Sequence, residues 1–117
     1  MRPRFVINKG ISKKITAVSS HFVEDALYYA VIYNPKDLTL KIGAYAYCTE
    51  TENGRMQVEF TFVKEDTAKL KEGFATIEIY DEADTLMVYR DNFATIRKNS
   101  LQISGDIPTP GEGSTSI

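Results

Sequence analysis

Apolar and polar residues alternate with a two-residue period along much of this chain, and that period marks half-buried β-strands. In QVEFTFV, Val58, Phe60 and Phe62 fall on one face while Gln57, Glu59 and Thr61 fall on the other. ATIEIY repeats the pattern, with Ala75, Ile77 and Ile79 opposed to Thr76, Glu78 and Tyr80. LYYAVIY is apolar on both faces, since Leu27, Tyr29, Val31 and Tyr33 alternate with Tyr28, Ala30 and Ile32. A β-branched and aromatic run of that kind predicts a central strand covered on each side. Strands are therefore expected near residues 4–8, 14–19, 26–33, 38–49, 55–63, 74–80, 85–90 and 93–97, with the core along Val58, Phe60, Phe62, Ile77 and Ile79.

Turn formers punctuate these runs at the roughly 8–12-residue spacing of sandwiches and barrels. In NPKD, Pro35 presets φ for a type I or II turn. Asn53-Gly54 suits a tight type I′ hairpin, because both residues tolerate positive φ. DEAD, at 81–84, forms a polar corner. One segment reads as helical: KEDTAKLKEG has good helix formers, an acidic first turn, and Gly73 where a left-handed C-terminal residue belongs. The short helix expected near 65–72 is too brief to stand alone, so Ala68 and Leu70 must pin it to the sheet. From Ser104 onward, SGDIPTPGEGSTSI is rich in Pro, Gly and Ser, which predicts a flexible tail over 104–117 behind a domain spanning 1–103.

At 117 residues the chain suits one domain, and 43% hydrophobic content supplies a core. A formal charge of −2, from 14 basic and 16 acidic residues, gives no electrostatic bias toward nucleic acid. Cys48 is the only cysteine, so no intrachain disulfide forms. That absence, with no secretory pattern in MRPRFVINKG, leads us to expect folding in a reducing cytoplasm. No apolar run approaches the ~18 residues of a membrane helix.

Candidate chemistry is sparse. His21 lies near Ser19, Ser20, Glu24 and Asp25, but no nucleophile elbow accompanies them, so an exposed loop histidine is expected. Asp81, Glu82 and Asp84 offer hard oxygens for calcium without the spacing of a calcium loop, and read as a solvated turn. Glu59 and Glu78 sit mid-strand as the polar half of an alternation. No catalytic residue, metal site or cofactor is expected. In AYAYC, Tyr45 and Tyr47 share a face opposite Ala44, Ala46 and Cys48. Three uses are open to those rings: a protein interface, a platform for sugar rings, or a second hydrophobic layer. Cys48, on the small-residue side, is expected to be a buried, inert thiol.

The order of pieces from KDLTLKIGAYAYC through FATIEIYDEADTLMVYRDNFATI resembles the immunoglobulin-like β-sandwich modules of tailed-bacteriophage structural proteins, such as the N-terminal domain of baseplate upper proteins. Asp37, Leu38 and Thr39 match a strand-opening motif of those modules. Thr67, Leu70, Gly73 and Phe74 match a segment that leads into an alternating strand, and TLMVYRDNFATI would supply a closing hairpin. Leu40 stands where the motif usually has glycine, and Phe74 where it has tyrosine. The resemblance covers residues 37–97 and implies a single antiparallel sandwich of about seven to eight strands. It further implies a non-enzymatic virion protein, folded in the host cytoplasm and assembled in many copies on a particle. A lone sandwich with a tail fits a capsid auxiliary subunit bound to the major capsid protein. A tail or baseplate adaptor and a carbohydrate-binding module are the alternatives. The residues expected to meet a partner are Tyr45, Tyr47, Pro108, Pro110 and Ile117.

Overall fold

Two-residue alternation becomes eight strands and one helical turn in the computed structural model, which describes residues 5–98 and 114–117. The strands are β1 (Phe5–Asn8), β2 (Lys13–Val18), β3 (Leu27–Tyr33), β4 (Lys41–Glu50), β5 (Met56–Phe62), β6 (Gly73–Tyr80), β7 (Leu86–Arg97) and β8 (Ser114–Ser116); α1 spans Lys64–Thr67. The protein is thus all-β with one short helix. The hydrogen-bonded order is β1-β7-β6-β3-β4-β5-β2-β8, with β3 and β4 at the centre. Pairing is antiparallel through the six inner strands. The two edge strands instead run parallel to their neighbours, β1 to β7 and β8 to β2.

Strand β4 lets this sheet curl nearly into a barrel. Its residues Lys41–Tyr47 pair with β3, and Cys48–Glu50 pair with β5. At the changeover, Cys48 donates its N–H to the Ala26 carbonyl at 2.9 Å, and its own carbonyl accepts from Asp25 N–H at 2.9 Å. The two halves close over a single apolar cluster. Ile15, Val58, Phe60 and Phe62 enter it from one side, and Ile7, Ile32, Ile77, Ile79 and Ile96 from the other. All five core positions expected from the alternation, Val58, Phe60, Phe62, Ile77 and Ile79, have no exposed surface.

Several local expectations are corrected. The helix ends at Thr67, and Ala68 is exposed. What holds the segment is buried Leu70 together with buried Thr67, whose Oγ1 donates to the Ile11 carbonyl (2.9 Å) and accepts from Gly10 N–H (3.1 Å). Gly73 opens β6 instead of capping the helix. Its φ of +127° and the Asn34 amide, 2.9 Å from where a Cβ would stand, both exclude a side chain there. Only Gly54 of the Asn-Gly pair takes a positive φ, and Gly54 N–H donates to the Thr51 carbonyl at 2.9 Å. The β4–β5 connection is therefore a type I turn followed by a glycine bulge, not a type I′ turn. NPKD turns as expected, with Asp37 N–H donating to the Asn34 carbonyl at 2.8 Å.

The closing hairpin expected within TLMVYRDNFATI is one continuous strand, β7, whose register against β6 shifts between Ala75 and Ile77. Asn92, at φ +53°, lies in the same stretch of β7. The flexible tail expected over 104–117 is also corrected at its end, where Ser114–Ser116 pair with Lys14–Thr16 as β8. The remainder of that tail, including Pro108 and Pro110, lies outside the described residues.

Phe60 is a large, fully buried side chain in a shared cluster, so removing its ring leaves a cavity that neighbouring strands cannot fill. Phe60→Ala is expected to lower unfolding free energy by about 3–5 kcal/mol in denaturant titration. A loss below about 1 kcal/mol would show that the strand does not face the core.

Candidate functional site

The outward phase of the same alternation gathers the tyrosines. Register places Tyr29 beside Tyr45 and Tyr80, Leu27 beside Tyr47, Tyr33 beside Lys41 and Thr76, and Val31 between Gly43 and Glu78. Glu78 in turn stands beside Tyr89 on β7. Six of the seven tyrosines therefore share the outer face of the β4-β3-β6-β7 sheet. The seventh, Tyr28, is buried inside with its ring 4.8 Å from that of Phe22. Tyr45, Tyr47 and Tyr89 are 68%, 64% and 51% exposed, so each of these residues presents more than half of its surface to solvent. Val31 and Tyr33, on the same face, are buried. The second cover expected over β3 is thus supplied by the tyrosine layer itself, and among the described residues no further sheet lies above it.

Two devices order this layer. The first is Gly43. A Cβ there would sit 2.1 Å from Tyr29 Oη and 2.5 Å from its Cζ, so Tyr29 lies across the strand in space that glycine alone leaves free. From that seat it packs on Tyr45, with centroids 4.4 Å apart and planes 36° apart. The second is Glu78, whose Oε2 accepts the Tyr33 hydroxyl at 2.5 Å and whose Oε1 accepts the Tyr80 hydroxyl. Lys41 Nζ stands 4.6 Å over the Tyr33 ring and adds a cation–π contact. Deeper on this face, buried Thr76 donates its hydroxyl to Asp91 Oδ1 at 2.9 Å.

The ionisation of these groups follows from the same contacts. Burial alone raises the Glu78 carboxyl, but the hydroxyls of Tyr33 and Tyr80 and the charge of Lys41 outweigh it, leaving Glu78 below its ordinary value. Tyr33 is raised by burial and then by its bond to Glu78. Tyr80 is raised first by its bond to Glu78 and then by burial, and Tyr29 by burial and then by Tyr45. A carboxylate clamped between two neutral hydroxyls neither gives nor takes a proton readily near neutral pH. Its role is to hold rings in place.

The other candidates scatter. His21 is exposed, and its N–H donates to Ser19 Oγ at 3.1 Å in a local turn. Asp81 organises its corner as an acceptor from Ala83 and Thr85 N–H, both at 2.9 Å. Among the described residues, no three His, Cys, Asp or Glu side chains converge on one point. Glu59 is exposed on β5 and pairs with Lys14 at 3.7 Å. Cys48 is fully buried, and burial followed by the Glu24 charge pushes its thiol up. Ile117 is partly buried against the core beside β2, so it does not share the face of Tyr45 and Tyr47. A shallow depression lined by Ser19, Ser20, Arg55 and Met56 lies at the end of β2, on none of the strands bearing the outer tyrosines except through the β4–β5 turn. No described helix is long and apolar enough to cross a membrane.

Sequence inspection singled out Tyr45 and Tyr47 but not Tyr29, Tyr33, Tyr80, Tyr89, Gly43 or Lys41 as their companions. The period-2 phase already placed Tyr29 with Tyr33 on one face of their strand. Missing was the order of strands, which decides which faces adjoin. No family model, no curated protein and no solved structure matches this chain. Fold and site together define a class: an all-β domain presenting a supported aromatic sheet face.

Two outcomes are expected. Because Glu78 lies below the ordinary value of 4.5, its contribution to stability is complete above that pH and is lost as pH falls through the folded value. Tyr33 and Tyr80 lie above the ordinary 10.0, so their contribution is complete below pH 10.0 and is lost as pH rises through their folded values. Thermal melts of Glu78→Gln across pH should show a smaller decline on both limbs than the native chain; identical profiles would contradict the clamp. Separately, Gly43→Ala should unseat Tyr29 from Tyr45 and change near-ultraviolet circular dichroism, with a melting point lowered by no more than about 8 °C. An unchanged spectrum would contradict the seating.

Proposed function

We propose that this chain is a non-enzymatic assembly protein that docks on a partner protein through its tyrosine face. One observation carries this reading: six tyrosines share one sheet face, three of them more than half exposed, beside a half-buried Glu78 clamp that fixes the layer. Tyrosine is suited to such a face because it gives large contact area at low entropic cost and ends in a hydrogen-bonding group. Interface anchors are most effective when already ordered in the free protein, and the Gly43 seat and Glu78 clamp provide that order.

The resemblance of residues 37–97 to phage immunoglobulin-like modules supports a virion as the setting and the major capsid protein as the partner, with this chain as a capsid auxiliary subunit. A glycan platform would use the same exposed rings. It would also need acceptors free to meet sugar hydroxyls, and both Glu78 oxygens already accept tyrosine hydroxyls. Protein docking is therefore the reading the chemistry favours.

Tyr45 and Tyr47 are exposed, so Tyr45→Ala with Tyr47→Ala should leave the fold standing while removing anchors worth at least about 2 kcal/mol each, roughly thirtyfold in affinity per ring. The measurement is the mass-spectrometric copy number of the chain in purified particles. Hundreds of native copies that fall to background in the double variant would support a capsid role, and about six or twelve would place the chain in the tail. Absence of the native chain from particles, or unchanged incorporation of the variant, would overturn the docking reading. A glycan-array signal lost on Tyr45→Ala would favour the sugar reading.

A further inference from the structure

Strand β8 is attached to the domain in an unusual way. It contributes three register pairs, Ser114, Thr115 and Ser116 against Lys14, Ile15 and Thr16, and extends them by two backbone bonds at Ile117. Ile117 donates its N–H to the Thr16 carbonyl at 2.7 Å and accepts from Val18 N–H at 3.4 Å. On its other side β2 is fully engaged, pairing with β5 along all six residues from Lys13 to Val18. The second edge of β2 is thus filled by β8, and β8 ends the sheet. Without β8, the Ile15–Val18 stretch would present unpaired backbone groups, the condition that invites strand addition.

The tether matters as much as the pairing. Residues 99–113 join β7 to β8, and these fifteen residues reach on the order of 50 Å when extended. The longest dimension of the molecule is 42 Å. Chain length therefore does not confine β8 to its own domain. Main-chain pairing and the seat of Ile117 are also identical whichever copy supplies the strand, which is the condition for exchange of an element between protomers.

We propose that β8 is an exchangeable strand, and that in concentrated or arrayed copies Ser114–Ile117 of one chain fills the β2 edge of another. A tether of this length holds its strand at an effective concentration on the order of millimolar. Self-pairing therefore dominates in dilute solution, and exchange between copies takes over only as their local concentration approaches that value. Exchange of this kind links copies head to tail, or in reciprocal pairs, without any new contact surface. The proposal stands apart from tyrosine-face docking, because it uses the opposite end of the sheet order.

Disulfide trapping tests it. Thr16 and Ser116 are register partners, and Cys48 is buried, so the native thiol stays in place. One chain carries Thr16→Cys, a second carries Ser116→Cys, and they are mixed and oxidised from micromolar to millimolar concentration. Expected is a heterodimer whose yield rises at least tenfold over that range and exceeds that of a control pair with Glu52→Cys in place of Ser116→Cys. A single chain bearing both Thr16→Cys and Ser116→Cys should instead close on itself at low concentration. Analytical ultracentrifugation should show association of the native chain that is absent when residues 114–117 are deleted. Internal closure without heterodimer above the control, at any concentration, would overturn the proposal. So would failure of both cross-links, since β8 would then not pair with β2.

Discussion

Everything else in this molecule depends on the split character of β4. Its inward residues Ala44, Ala46 and Cys48 are small, and its outward residues Tyr45 and Tyr47 are large. Small side chains inside let the strand pass from β3 to β5 with backbones close together, and this passage brings the two halves of the sheet over one core. Large side chains outside follow from the same alternation, since consecutive residues on a strand cannot share a face. Closure of the fold and display of the aromatic face are therefore two consequences of a single ten-residue pattern.

An aromatic layer facing water is ordinarily a hazard, because mobile apolar surface promotes indiscriminate association. Here the layer is ordered from below. Gly43 gives the Tyr29 ring a place to lie, and Tyr45 then rests on Tyr29. Glu78 holds Tyr33 and Tyr80 by their hydroxyls, with Lys41 close above the Tyr33 ring. Partial burial would normally disfavour the Glu78 charge, but the two hydroxyls and the lysine more than offset that cost. The result is a face whose exposed members, Tyr45, Tyr47 and Tyr89, stand among neighbours with fixed positions.

Much of this was legible in the sequence where a residue's environment is set by its own strand. Phase alone placed Val58, Phe60, Phe62, Ile77 and Ile79 inside and set Tyr45 and Tyr47 on the face opposite Ala44, Ala46 and Cys48, leaving open whether a second layer covered the rings. Features set by distant partners were not legible. Thr67 is helical as its segment suggests, but it is also a buried latch to Gly10 and Ile11, more than fifty positions away. Gly73 looked like a helix cap, because nothing local announces that Asn34 fills the space beside it. The two strands expected at 85–90 and 93–97 are a single strand, because β6 carries Leu86–Arg97 through a register shift that the segment itself does not announce. The serine-rich end near 114–117 has no apolar alternation at all, and it pairs through backbone groups that composition does not reveal.

The most direct measurement of whether the tyrosine face docks is chemical footprinting of the tyrosines in the free and the particle-bound chain. Nitration followed by peptide mass spectrometry reads each ring separately. Docking through this face predicts that Tyr45, Tyr47 and Tyr89 are modified in the free chain and protected on the particle, while buried Tyr28 is unreactive in both states. Equal modification of Tyr45, Tyr47 and Tyr89 in the two states would contradict it.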